Sequence, residues 1–117
     1  VAAPTVVIGG DLVSKARSYL GRTGPSLGLP NSLWCADFMN YITNGGTGSR
    51  IAKSWLKRPR TTPHVGAIAV VSRGGGGHVG VVSGFDSHGN PIIISGNHNR
   101  RVGEGVYAKS RIIAYVM

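Results

Sequence analysis

The chain is poor in cysteine, in acidic residues and in long apolar runs, and each shortage excludes something. A single cysteine, Cys35, rules out an internal disulfide framework and any zinc site built from paired cysteines. Four Asp+Glu stand against 13 Lys+Arg, a formal net charge of +9, so the field around the protein favours polyanions over acidic proteins' usual partners. The cations are spread along the chain, and only Lys57-Arg58-Pro59-Arg60 clusters. No aromatic residues interleave that cluster, so a nucleic-acid partner is not expected; anionic polymers of a bacterial envelope fit the charge better. No apolar run is long enough to cross a bilayer. Val1 is not an initiator methionine, and the expectation is a mature chain whose signal peptide has been removed, secreted or periplasmic.

At 117 residues, 41% of them apolar, the chain suffices for one compact domain. Residues 1–10 read as a lead-in, with Thr5–Ile8 a possible short edge strand, and 11–117 as the domain. Asp11 is placed to cap a helix running to Leu20, with Leu12, Val13, Ala16 and Leu20 on its buried face and Gly21 ending it. A loop rich in Gly, Pro, Ser and Asn leads to a second helix, Cys35 to about Thr43, for which Ser32 or Asn31 is the expected N-cap. A short helix from Arg50 to Lys57 would bury Ile51, Ala52, Trp55 and Leu56 before Pro59. After Pro63 the period changes to that of strands: 67–72, 79–85, 91–95 and 112–116, with DSHGN at 86–90 as a hairpin turn. Helices followed by strands predict an α+β domain, helices on one face of a small antiparallel sheet.

Cys35 at the first turn of a helix sits where the helix dipole and free backbone N–H groups favour thiolate. His78, read as the first residue of the second strand after a glycine run, is the candidate base. The hairpin returns the end of the third strand to the level of His78, so Asn97, or alternatively His98, is the candidate that orients the imidazole, with Asn99 a weaker choice. The backbone at Cys35 could stabilise an oxyanion, while Trp34, Trp55 and His98 are further candidates for that role or for substrate contact. His88 reads as a turn residue and His64 as a loop residue, and no pair of histidines has metal-ligand spacing, so no metal is expected.

The assembled pattern, LWCADFMNYI, then PHVGAIAVVSRGGGGHVGVV, then a hairpin and ISGN, resembles the NlpC-type and CHAP superfamily of papain-like cysteine peptidases and amidases. The resemblance is closest to the small bacterial branch with WCA-F and GHVG motifs, and covers roughly 12–117. It implies a papain-like fold, Cys35 as nucleophile, His78 as base, a polar orienter matched by Asn97, no cofactor, and peptide or amide bonds of peptidoglycan as substrate. Members often carry a glutamate two residues before that asparagine. This chain has Ser95 there. The alternatives are a non-catalytic basic module that binds a wall polymer or nucleic acid, and the same chemistry on an amide outside the wall.

Overall fold

The structure is a computed structural model and describes residues 9–74 and 76–117. Its first element, helix α1, runs Gly9–Arg17 and buries Leu12 and Ala16. Asp11 therefore lies within the first turn and is not its cap, and its carboxylate still meets the positive end of the helix. The helix stops three residues short of Leu20, because Tyr19 and Leu20 donate to Ala16 and Arg17 in tight turns. Leu20 is consequently exposed. The edge strand expected at Thr5–Ile8 lies outside the described residues.

Helix α2, Cys35–Ile42, buries Cys35, Phe38, Met39 and Ile42, one stripe at helical spacing, along with Ala36. The segment expected as a helix from Arg50 is a 3-10 helix, Ala52–Lys57, that buries Ala52 and Trp55. Ile51 is exposed and Leu56 only half-buried. A buried face four residues wide is not available to so tight a turn, whose side chains repeat every three residues.

The remaining chain forms five strands: β1 Ile68–Arg73, β2 Gly76–Phe85, β3 Pro91–His98, β4 Arg101–Val106 and β5 Ile112–Val116. Their spatial order is β4-β3-β2-β1-β5, and all neighbours are antiparallel. The expected α+β architecture holds, and β4 is an addition to it. The 86–90 turn is closed by Asp86, whose Oδ1 accepts from the backbone N–H groups of His88 and Asn90 at 2.9 Å each. Gly76 and Gly77 of the glycine run belong to the ladder, pairing with Arg73 and Ser72, and Gly74 takes φ 50°. Strand β2 thus starts before His78, which lies inside the strand opposite Val71, not at its mouth.

Alternation along the strands divides the sheet into two apolar faces. Val70, Val79, Val81 and Ile94 pack under α1 and α2. Val71, Val82, Ile93 and Tyr107 form a second cluster on the opposite face, and His78 and Ser95 belong to that side. Gly96 seats α2 on β3: a Cβ there would stand 2.6 Å from Phe38 Cβ and 2.9 Å from the Trp34 ring.

Candidate active site

Cys35 opens α2, and the chain reaches it through Leu33 in the left-handed region (φ 49°) and Trp34 at the N-cap position. Trp34 offers no side-chain cap, and neither Ser32 nor Asn31 caps the helix. The Ser32 carbonyl instead accepts from Arg50, whose Nε is 2.9 Å from Asp37, tying the loop to the helix. With the cap position empty, N–H groups of the first turn remain for other acceptors. The sulfur of Cys35 receives backbone N–H groups of Ala36 and Cys35, and across the gap that of Val79, the residue after His78. Burial pushes the thiol pKa up. Those N–H groups and the nearby Arg73 guanidinium offset part of the rise.

His78 is fully buried, 0% exposed. Its Nε2 lies 2.8 Å from Ser95 Oγ and 3.2 Å from the Tyr107 hydroxyl, and its Nδ1 lies 3.3 Å from Arg73. Tyr107 also stacks on the ring, 5.6 Å between centroids and 20° between planes. Burial holds the imidazole pKa down at about 3, with Arg73, His98 and Arg111 lowering it further. Burial thus keeps both the thiol and the imidazole neutral at neutral pH. Cys35 lies on the helix side of the sheet and the His78 ring on the other, and among the described residues the ring's partners do not include the sulfur. The preformed thiolate–imidazolium ion pair is not the state this closed site favours.

Arg73 joins the two candidates. It ends β1, reaches Nδ1 of His78 and acts electrostatically on Cys35 as well.

Asn97 does not hold the imidazole: among the described residues the ring's partners are Ser95, Tyr107 and Arg73. Asn97 has φ 56° and sits in a bulge, where Gly96 and Asn97 together oppose one residue of β4. Asn is among the few residues that take this backbone readily. The extra residue shifts His98 by one position in the alternation. Its ring then falls on the Tyr107 side, with Nδ1 3.0 Å from the hydroxyl. His98 thus approaches His78 through Tyr107 and does not touch it. Trp34 and Trp55 have no exposed surface, so neither indole can line a substrate groove.

Asn99 turns the chain between β3 and β4 at φ 54°. His64 Nδ1 lies 2.7 Å from the Thr62 carbonyl, and the His88 carbonyl accepts from Lys109. Among the described residues no three His, Cys, Asp or Glu side chains gather, and no helix is long and apolar enough to cross a membrane.

Tyr107 had no signal of its own in the sequence. Its trace is indirect, the glycines at 103 and 105 that lie beside the His98 ring. A groove of about 510 Å³ runs along the 3-10 helix, lined among others by Thr47, Ser54, Lys53, Lys57 and Arg58. The Lys53 stem covers Gly77, next to His78. Two ion pairs occur among the described residues, Arg17–Glu104 and Arg50–Asp37, so the groove's cations are not neutralised by carboxylates.

Against known proteins, a family model described as the CHAP domain matches residues 27–97, a span that includes Cys35, His78, Ser95 and Asn97. No curated protein matches the chain.

Proposed function

The chain belongs to the CHAP domain family, whose members are in general peptidoglycan hydrolases or amidases, and from that premise we infer that it is a cysteine hydrolase of wall peptide or amide bonds. The observation that supports this reading best is the convergence on Cys35. Uncapped N–H groups of α2 and the Val79 N–H of β2 meet at its sulfur, and the residue before Val79 is His78, whose imidazole is anchored at Nε2 by Ser95.

In this reading substrate entry displaces Arg73, an exposed side chain at the end of β1, from Nδ1 and brings the Cys35 sulfur within reach of that nitrogen. Cys35 attacks the carbonyl carbon while its proton passes to Nδ1 of His78, so a neutral pair reacts by general-base catalysis without a standing ion pair. The oxyanion is met by first-turn N–H groups, that of Cys35 included. The amine leaves with the proton from Nδ1, giving a thioester. Water then attacks the thioester, loses a proton to Nδ1, and the sulfur departs and is reprotonated. Asn97 contributes by shaping the bulge beside the site. The groove of Lys53, Lys57 and Arg58 accommodates anionic groups of the wall, and a secreted or periplasmic location follows from that substrate. No step calls for a metal or organic cofactor.

Digestion of purified peptidoglycan, with new termini identified by mass spectrometry, tests the reading. New peptide or amide termini should appear with the wild type and vanish in Cys35→Ala and His78→Ala. One observation favours the second reading, a non-catalytic basic module: Cys35 is only 7% exposed and His78 not at all. Undigested wall that nevertheless retains the protein would select it.

A further inference from the structure

Among the described residues no carboxylate meets the imidazole of His78, yet its buried nitrogen is not left unpaired. The proton positions around it can be worked out from one end. A guanidinium carries donors only, so the contact between Arg73 and Nδ1 at 3.3 Å requires a lone pair on Nδ1. The ring proton of the neutral imidazole is then on Nε2, pointed at Ser95 Oγ (2.8 Å) and at the Tyr107 oxygen (3.2 Å). Ser95 Oγ is itself 3.4 Å from that oxygen. With the tyrosine oxygen accepting on this side, its own proton is free to go to Nδ1 of His98, at 3.0 Å. One set of protons satisfies every contact, from Arg73 to His98.

The scaffold around this chain of contacts is specific. The Asn97 bulge turns His98 onto the correct face. Strand β4 then leaves a slot for its ring: a Cβ on Gly103 would stand 2.6 Å from His98 Cδ2, and one on Gly105 3.0 Å from Cε1. Arg111 lies over the Tyr107 ring, 6.0 Å from its centroid. Stacking, the slot and the bulge together fix the hydroxyl where a freely rotating serine alone would not.

We propose that Tyr107 and His98 are positioning residues for the hydrolase, a Ser95–Tyr107–His98 network that holds the proton of His78 on Nε2 and faces two oxygen dipoles toward the imidazolium formed during turnover. This rests on the reading of Cys35 and His78 given above. His98 acts by taking the tyrosine proton, which directs the hydroxyl oxygen at His78; bonds arranged in series polarise one another in this way.

The test combines the tautomer and the rate. Nitrogen NMR of the labelled full chain reports which ring nitrogen of His78 carries the proton. The wild type should show Nε2–H, and Tyr107→Phe a mixture of tautomers, with kcat lower by about tenfold to a hundredfold and KM within about twofold, since no substrate contact is lost. His98→Gln, whose amide oxygen can accept the tyrosine proton, should turn over about tenfold faster than His98→Leu. A tyrosine that merely packs would lower Tm and leave both the tautomer and kcat unchanged. That result, or a wild-type His78 protonated on Nδ1, overturns the proposal while the hydrolase reading stands. A wild type without turnover overturns both.

Discussion

Acid should unfold this protein largely through one buried imidazole. An unfolded histidine takes up its proton below about pH 6.5, whereas His78 in the fold refuses one until about pH 3. Protons therefore favour the unfolded chain, and the stability that His78 contributes is complete above pH 6.5 and declines as pH falls toward 3. Each pH unit in that window costs about 1.4 kcal/mol, so going from pH 7 to pH 4 should remove about 3 kcal/mol. That is a large share of the stability of a domain this size.

Urea unfolding followed by the fluorescence of the buried Trp34 and Trp55, at pH 7, 5.5 and 4, measures the loss in the wild type and in His78→Gln. Asp86 is held below the ordinary carboxylate range by the N–H and amide groups of Asn90, and Glu104 by Arg17 and Ser83. Both lose stability as pH falls further, but equally in the two proteins, so the difference isolates His78. The gap between the two pH profiles should be about 3 kcal/mol. Parallel profiles would refute the claim that the ring is held neutral, and with it the tautomer assignment.

Two further predictions concern groups around the site. Arg73→Met should raise the His78 pKa toward its ordinary value and narrow the acid loss; burial, the larger cause, should preserve most of it. In the same variant the iodoacetamide reaction of Cys35 should need a higher pH to reach half its maximal rate, because the thiolate loses a neighbouring cation; an unchanged midpoint would separate Arg73 from the sulfur. Gly96→Ala should cost about 1–3 kcal/mol in urea unfolding, since the new methyl meets Phe38 and the Trp34 ring from below. Wild-type stability there would mean that α2 is seated less closely on β3.

Elements are legible in the sequence where one periodicity runs unbroken. The stripe Cys35, Phe38, Met39 and Ile42 specified α2 and the thiol at its head, and the β-branched runs specified four strands and the 86–90 turn. Strand β4 escaped because Arg101–Val106 alternates charges with glycines and buries only Val102, leaving no apolar pattern to detect. The start of β2 is hidden because glycines carry no side-chain period, although two of them pair in the ladder. The cap failed for another reason: Leu33 takes a left-handed backbone that nothing in its side chain announces.

At the site, Cys35 and His78 were visible as residue types in the right order, and the support of the imidazole was not. Strict alternation would send His98 to the helix side, and only the bulge at Asn97, a tertiary choice, reverses it. The amide is what marks Asn97 in the sequence, but its structural contribution is its backbone. Tyr107 lies past the end of β4, and its hydroxyl meets Ser95 and His78 across the sheet, a contact distant in sequence that no local pattern encodes.

The central claim is that the Cys35 sulfur attacks a wall carbonyl with His78 taking its proton. Acid-quenching the wild type during digestion of purified peptidoglycan and weighing the intact protein tests it most directly. A hydroxylamine-labile mass increment located on Cys35, absent in His78→Ala, is the predicted result. Turnover with no adduct on Cys35 at any time, or new termini released by Cys35→Ala, would contradict it.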